Sequence, residues 1–150
     1  WPRHPNTNGV YQILTRGETT LGAVLLAEDE PGVRYTFSSV LEEAGYKVQA
    51  VPTFAEAQNS MRKREYDALI TELSLERGEL GLELAREAKK LKHAPAVLIY
   101  TAEPTIESLR AALALQVDYV ALKPVDLEEI RSALFRLISR RSVSLSLAAQ

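Results

Sequence analysis

Five polar residues lie where short apolar runs of the chain end. In chain order they are Glu28 and Asp29, then Glu72, Thr101 and Lys123. Carboxylates brought close together need a cation or a lysine to offset their repulsion, and oxygen ligands of this kind suit Mg²⁺. A lysine and a hydroxyl suit an anionic group such as a phosphoryl. Together these residue types predict a pocket for Mg²⁺ and a phosphoryl group, although each residue taken alone is typical of a solvated loop.

Alternating strands and helices have to position these residues. Short apolar runs predict five strands, at 23–27, 47–51, 68–71, 96–100 and 119–122. Apolar residues at helical spacing predict helices between and after them, at 31–44, 54–61, 80–91, 104–115 and 127–138. Such alternation builds an α/β fold, a doubly wound five-stranded parallel sheet with helices on both faces. Residues at the carboxyl ends of its strands meet in one crevice.

Local signals mark the beginnings of several helices. Pro31 suits a first helical turn. Thr53 with Glu56, and Asp126 with Glu129, have the spacing of a capping box, in which the first side chain and the fourth satisfy each other's backbone N–H groups. These signals predict that helices begin directly after Thr53 and Asp126.

Composition excludes several classes of protein. The chain has 150 residues, with 18 Lys+Arg against 20 Asp+Glu, so a strongly basic nucleic-acid binder is not expected. Cysteine is absent, which excludes disulfides, thiolate zinc sites and thiol catalysis, and fits the cytoplasm. No apolar run approaches the ~18 residues of a membrane span. His4 and His93 are isolated from other candidate ligands, so we expect neither to bind a metal.

The two ends of the chain differ from its middle. Pro, Gly and Asn punctuate residues 1–22, which we interpret as an arm or linker with a weak strand signal at 10–14. Residues 23–141 form the predicted domain, and 142–150 have the composition of a polar tail. The first residue is Trp1, so we expect a fragment or a processed chain. Too little chain follows residue 141 for an output domain, so an output domain, if there is one, is expected outside this chain.

Five stretches, taken in order and spacing, resemble the receiver domain of response regulators in two-component signalling. They are 24–31, 41–48, 66–72, 98–102 and 118–124. The resemblance implies the flavodoxin-like (βα)5 receiver fold over residues 23–141. It also implies that the acidic pair Glu28 and Asp29 holds Mg²⁺ together with the backbone carbonyl of Ser74, which lies two residues after the position that accepts the phosphoryl group. Thr101 and Lys123 correspond to the hydroxyl and the lysine that contact the phosphoryl group. Tyr119 corresponds to the aromatic residue that reports the active state.

The phospho-acceptor position departs from the family. Receiver domains have an aspartate there, whereas this chain has Glu72. One extra methylene displaces the attacking oxygen, and misplacements near ~1 Å can cost ~10²-fold in rate. We therefore expect ordinary aspartyl-phosphate chemistry to be absent. The longer arm also carries a carboxylate toward Lys123 and Thr101, so Glu72 is either an inert acceptor or a partial mimic of a phosphorylated aspartate, with one charge against about two.

Further departures lie in the loops. Glu76 replaces a proline common in the family, and the following glycine comes one residue late, at Gly81. Arg77 either reaches the acidic cluster and supplies the charge of a metal, or points to solvent. Gln116 stands where the family favours glycine after the fourth helix, and we expect a different turn there because a left-handed glutamine is costly. Val125 replaces a common aromatic residue.

These observations leave three hypotheses for function. The first is an atypical or pseudo-receiver, not an enzyme, that signals by contact with a histidine kinase, an output domain or a second copy. Its surface would be the fourth helix, fifth strand and fifth helix, with Leu109, Leu113, Tyr119, Arg131, Arg136 and Arg140, although the arginines also fit a solvated helix face. The second keeps phosphorylation, at Glu72 or a substitute such as Asp67, which we expect at the wrong end of its strand. The third is a Mg²⁺-dependent phosphotransfer enzyme, which would need a strand-end aspartate nucleophile and a second acid where Pro31 stands. Direct binding to nucleic acid or membrane is not expected.

Overall fold

The computed structural model describes residues 12–13 and 19–149. Within them, five parallel strands form one sheet in the order β4-β3-β5-β6-β7, and a short antiparallel pair, β1 and β2, precedes it. The strands are β1 Gln12–Ile13, β2 Thr19–Thr20, β3 Gly22–Ala27, β4 Tyr46–Val51, β5 Ala68–Glu72, β6 Ala96–Thr101 and β7 Tyr119–Leu122. The predicted α/β doubly wound parallel sheet is confirmed.

Helices connect the strands of the main sheet. They are α1 Pro31–Glu43, α2 Phe54–Lys63, α3 Leu80–Lys89, α4 Ile106–Ala114 and α5 Leu127–Ala148, with a 3₁₀ turn at Leu75–Arg77. Alternate residues of each strand point to opposite faces, so Leu26 lies in a core cluster with residues of α1 and α5, while Leu25 lies in a second cluster with residues of α2, α3 and α4. Because β3, β5 and β6 are covered on both faces, their sequences are apolar up to the polar residues at the ends of β5 and β6 instead of alternating.

The capping predictions hold in part. The Thr53 hydroxyl accepts a hydrogen bond from the Glu56 N–H at 3.1 Å, as expected, but the Glu56 carboxylate accepts from the Thr53 hydroxyl instead of its backbone N–H, so the capping box is not complete. Asp126 also caps its helix, but it accepts from the Glu128 N–H at 2.9 Å, and Glu129 does not complete a capping box. Its carboxylate lies instead beside the Tyr119 hydroxyl.

The last helix is longer than the sequence predicted. Residues 142–148, assigned above to a polar tail, continue α5. No glycine or proline interrupts this stretch, and Leu145 is half-buried. The Arg141 guanidinium fastens the helix to the amino-terminal edge of the sheet, where it donates to Asp67 Oδ1 at 2.9 Å and to two backbone carbonyls.

The amino-terminal boundary also moves. Leu21 and Gly22, assigned above to the arm, are buried against the domain, and Gly22 begins β3. The 10–14 strand signal matches β1 at Gln12–Ile13, and most of the predicted arm lies outside the described residues.

The turn after α4 corrects another prediction. Gln116 adopts the left-handed conformation with φ 59°, so the turn that normally takes glycine is kept. The Gln116 N–H donates to the Leu113 carbonyl and the Val117 N–H to the Ala112 carbonyl, the two bonds of a Schellman motif. These bonds satisfy helix carbonyls and offset the strain of a non-glycine residue.

Candidate functional site

The carboxyl ends of four parallel strands bring the predicted site residues to one edge of the sheet. Glu28 directly follows β3, Glu72 ends β5, Thr101 ends β6, and Lys123 follows β7. The chain winds from β3 to β4 on one side and continues to β5 on the other. The pocket therefore lies at the switch in winding direction, where open parallel sheets hold their ligands.

Glu28 is the most buried acid of the pocket, with 1% of its surface exposed. Its Oε1 accepts a hydrogen bond from the Tyr100 hydroxyl, and its Oε2 accepts one from the Glu30 N–H at 2.9 Å. The Arg34 guanidinium donates to the Glu28 carbonyl at 2.8 Å. Asp29, the second acid of the pair, is exposed. Both oxygens of the buried carboxylate are thus engaged by groups of the chain itself.

Tyr100 is a site residue to which sequence analysis assigned no role. Its ring stacks on Phe37 with centroids 4.9 Å apart, and the Lys123 ammonium lies 5.5 Å from the ring centroid. Burial raises the pKa of the Tyr100 hydroxyl, and the Glu28 carboxylate raises it further, so the hydroxyl remains a donor at neutral pH. A tyrosine in the otherwise aliphatic run 96–100 was the available signal, since a buried phenol needs a partner.

Glu72 and Lys123 form the second pair of the pocket. Lys123 Nζ donates to Glu72 Oε1 at 3.4 Å, a long contact. Glu72 Oε2 is buried and has no hydrogen-bond partner among the described residues. Burial raises the pKa of the Glu72 carboxyl, the Lys123 ammonium opposes that rise, and the neighbouring acids add to it. The extra methylene thus carries the carboxylate to the lysine, as predicted from the length of the side chain.

Thr101 reaches the pocket edge but does not join this pair. Its hydroxyl is buried and accepts a hydrogen bond from the Glu103 N–H at 3.2 Å, while its carbonyl accepts from the Lys123 N–H at 2.9 Å. Thr101 therefore organises its own loop and aligns Lys123 through the backbone. No hydrogen bond joins its hydroxyl to Glu72 within the described residues.

The loop after Glu72 is held by its own contacts. The Ser74 carbonyl, a predicted metal ligand, accepts a hydrogen bond from the Arg77 N–H at 2.9 Å. Glu76 and Arg77 are both left-handed, with φ of 55° and 65°. The Glu76 carboxylate accepts from the Phe54 N–H at 2.8 Å and so caps α2. Arg77 is exposed and forms no ion pair with the acidic cluster in the described part of the chain, in accord with the solvent-facing alternative.

The position of the loop glycine, Gly81, follows from how closely α3 packs against the end of β5. A Cβ atom at Gly81 would lie 2.1 Å from the Glu72 carbonyl oxygen and 2.8 Å from the Leu73 Cα. The Gly81 N–H also donates to the Leu73 carbonyl at 3.1 Å. The first turn of α3 therefore lies directly against the end of β5, and only glycine fits.

The residues of the pocket do not fit a divalent cation as they are arranged here. No group of three or more acidic, histidine or cysteine side chains in the described ranges could hold a metal ion. Glu28 is engaged through both oxygens, Glu72 contacts a lysine, and the Ser74 carbonyl closes the 3₁₀ turn. The predicted set of Glu28, Asp29 and Ser74 stays a prediction that this geometry does not favour.

The predicted contact surface consists of α4, β7 and α5. Leu113 is largely exposed, and Leu109 is partly so. The Tyr119 hydroxyl lies 3.4 Å from Glu129 Oε1, on the side of α5. Arg131 pairs with Glu128 at 2.6 Å, whereas Arg136 and Arg140 are exposed without an ion pair among the residues described.

Asp67 lies at the opposite edge of the sheet, as predicted. It precedes β5, and its carboxylate accepts from the Ala23 N–H at 2.8 Å and from Arg141.

No helix of the described residues is long and apolar enough to cross a membrane.

Comparison with known proteins identifies a family for most of the chain. Residues 24–135 match the family model of the response regulator receiver domain. The two-component response regulator PhoP of Pseudomonas aeruginosa is 32% identical over 119 residues, covering 79% of this chain and 52% of that protein. The sensory transduction protein LytR of Staphylococcus haemolyticus is 31% identical over 111 residues, covering 73% and 42%. The chain thus spans about half the length of these curated relatives.

Solved structures agree on the fold. The non-phosphorylated receiver domain of HemR from Leptospira biflexa superposes with a TM-score of 0.70 at 30% identity, covering 78% of this chain and 94% of that one. A CheY-like receiver domain protein from Methanospirillum hungatei gives a TM-score of 0.74 at 19% identity, covering 79% and 94%. The second match, at its lower identity, concerns the fold alone.

Proposed function

The chain belongs to the response regulator receiver domain family, and from this premise we propose that it is an atypical receiver that signals through protein contacts without phosphorylation at Glu72. The contact between Glu72 Oε1 and Lys123 Nζ carries the proposal. In the family that lysine binds the phosphoryl group, whereas here a carboxylate of the chain already meets it. Receiver domains of response regulators are signalling domains, and this one would transmit a state set by its own side chains.

The geometry around Glu72 opposes phosphoryl transfer. Transfer depends on an in-line approach and on neutralisation of the charge on the phosphoryl oxygens. Here one carboxylate oxygen contacts Lys123 and the other is buried, so neither is directed to an open face of the pocket. The cation that would share the charge has no preformed set of ligands in the described residues.

The same contact supports partial mimicry of a phosphorylated state. Glu72 engages Lys123 as a phosphoryl group would, but with a single charge and at the long distance of 3.4 Å. The Thr101 hydroxyl bonds its own loop, and the Tyr119 hydroxyl lies toward Glu129. We therefore propose that Glu72 biases the domain toward its signalling state without completing the rearrangement that a phosphoryl group would drive.

The partner would meet the exposed surface of α4, β7 and α5. Receiver domains interact with kinases or output domains, and one relative is named as a transcriptional regulatory protein, GlrR of Escherichia coli. Apolar Leu109 and Leu113, with Arg136 and Arg140, which form no ion pair within the described part of the chain, fit a protein surface that carries apolar and acidic groups. A second copy of the chain or a linked output domain would satisfy this chemistry.

Phosphorylation at a substitute acid is the competing hypothesis, and the structure weighs against one candidate. Asp67 is committed to Ala23 and Arg141 at the far edge of the sheet. Exposed Asp29 is the acid of the pocket that remains accessible. An adduct at Asp29 would therefore be the outcome that favours this alternative.

A phosphodonor experiment tests the proposal. The chain is incubated with acetyl phosphate and Mg²⁺, and a phosphoryl adduct is sought by intact mass. We expect none on the wild type, and we expect an adduct on the double variant Glu72→Asp/Tyr100→Phe, in which the acceptor has the family's length and the Tyr100 hydroxyl no longer occupies Glu28 Oε1. Glu72→Gln is the matched control that lacks a nucleophile. An adduct on the wild type would overturn the proposal, and its position would be mapped by peptide mass.

A second measurement tests the mimicry. Glu72→Gln removes the charge at nearly constant shape, so amide resonances of Lys123 and of the α4, β7 and α5 surface should shift together in NMR spectra. Shifts confined to residues next to position 72 would show that the carboxylate has no effect on the surface, and the mimicry would be wrong.

A further inference from the structure

The buried acid of the pocket has a partner supplied by the chain. Tyr100 and Glu28 are each 1% exposed, they are 72 residues apart in sequence, and the phenol hydroxyl donates directly to Glu28 Oε1. The Phe37 ring, stacked at 4.9 Å, fixes the plane of the tyrosine ring. The hydroxyl is therefore held in place by packing and not by the length of a flexible side chain.

This hydroxyl occupies Glu28 Oε1, one of the two carboxylate oxygens that a cation could use. The other oxygen, Oε2, is bonded to the Glu30 N–H at 2.9 Å within the loop that starts α1. A carboxylate buried this deeply needs donors or a cation, because an uncompensated buried charge is costly. Tyr100 and the loop N–H already supply those donors, so burial of Glu28 requires no metal ion.

Positive charge also comes from within the chain. The Lys123 ammonium lies 5.5 Å from the Tyr100 ring centroid and 3.4 Å from Glu72 Oε1. The Arg34 guanidinium donates to the Glu28 carbonyl at 2.8 Å. The cluster of Glu28, Asp29 and Glu72 is thus opposed by one ammonium and one hydroxyl, while Arg34 holds the backbone at Glu28.

We propose that Tyr100 is the specificity-determining residue that keeps divalent cations out of this pocket, so that the pocket is complete without metal. The inference deepens the proposed function and rests on it for the role of the pocket in signalling. The phenol and a cation compete for one oxygen. A cation that binds Glu28 Oε1 displaces the phenol and leaves its buried hydroxyl without a partner, which costs free energy. An open acidic pocket has no such hydroxyl and therefore no such cost.

Tyr100→Phe isolates this competition. The substitution keeps the ring, its stacking on Phe37 and its contact with Lys123, and it removes only the donor. Glu28 Oε1 then loses this partner in a pocket that also holds Asp29 and Glu72 near the same position. We expect the variant to gain affinity for divalent cations by at least about tenfold, the scale on which neighbouring hydrogen bonds tune metal sites.

Manganese titration provides the test. Mn²⁺ is added to millimolar concentration, bound ion is counted from the free-ion EPR signal, and its place is located by paramagnetic broadening of amide resonances. In the wild type we expect no selective broadening at residues 28, 29 and 72. In Tyr100→Phe we expect broadening there, and we expect it to disappear when Glu28→Gln is added.

Tyr66→Phe is the matched control, since it removes the hydroxyl of another buried tyrosine that packs on the opposite face of the sheet. Selective Mn²⁺ broadening at residues 28, 29 and 72 of the wild type would overturn the inference even if Tyr100→Phe folded poorly. A folded Tyr100→Phe that gains no binding would overturn it as well. The phosphodonor result is independent of both, because an adduct on the wild type contradicts the proposed function and leaves the cation result readable.

Discussion

The contact between α3 and the end of β5 leads to a sharp prediction for Gly81→Ala. A Cβ atom there would meet three backbone atoms, the Glu72 oxygen at 2.1 Å and the Leu73 Cα and oxygen at 2.8 Å each. Carbon and oxygen atoms of this kind approach to about 3.3 Å at closest. The first turn of α3 must therefore move by about 1 Å or more, since no side chain can rotate away.

The cost follows from two losses. Forcing a methyl group into packed structure costs about 1–3 kcal/mol. The hydrogen bond from the Gly81 N–H to the Leu73 carbonyl, 3.1 Å long, is strained or lost with the shift, at about 1 kcal/mol. We expect a loss of about 3 kcal/mol in the free energy of unfolding, a large share of the roughly 5–15 kcal/mol of a typical domain.

Urea unfolding followed by circular dichroism measures this loss. With a slope of about 1–3 kcal/mol per molar urea, the midpoint should fall by roughly 1–3 M. Gly78→Ala is the matched control three residues earlier, where a Cβ would meet only the Leu80 side chain at 3.8 Å and φ is −123°. We expect that variant to stay within about 0.5 kcal/mol of the wild type. Equal stability of Gly81→Ala and Gly78→Ala would refute the close approach of α3 to β5.

Three further predictions concern other parts of the fold. Gln116→Gly relieves the left-handed φ of 59° and should raise the free energy of unfolding by about 0.5–1 kcal/mol, or the melting temperature by about 2–4 °C; an unchanged melting temperature would contradict the strain. Arg141→Met leaves Asp67 without its ion-pair partner and should cost about 2 kcal/mol, with faster amide exchange in residues 142–149; protection equal to that of the wild type would show that Arg141 does not fasten the helix. Burial raises the pKa of the Glu72 carboxyl, so this group stays protonated to higher pH in the folded state than in the unfolded state. The free energy of unfolding therefore falls as pH rises from about 4.5 through the higher folded pKa. Glu72→Gln lacks this titration, so the urea midpoint of the variant should rise relative to that of the wild type as pH increases across about pH 4–7. Parallel curves for the two proteins would show that the folded pKa is not raised.

Much of the architecture followed from local patterns. Apolar runs and helical spacing placed all five strands of the main sheet and all five helices, with errors confined to their ends. The cap at Thr53 was correct because capping depends on residues close in sequence. The prediction of a different turn at Gln116 was wrong because it considered the cost of a left-handed glutamine without the two backbone hydrogen bonds that offset this cost. The end of α5 was missed because contacts of Arg141 with Asp67, 74 residues away, extend it.

Local sequence patterns were enough to show which residues reach the pocket, since a residue at the carboxyl end of a parallel strand has only one edge of the sheet to occupy. Glu28, Glu72, Thr101 and Lys123 are all there. How these residues pair follows only from the packed fold. Tyr100 bonds Glu28, Lys123 meets Glu72, and the Thr101 hydroxyl turns to its own loop. Which residues pair depends on differences of about an ångström or two in the relative positions of elements that are 51 or 72 residues apart in sequence. Hydrogen bonds weaken steeply over such differences, so no local sequence pattern predicts the pairing.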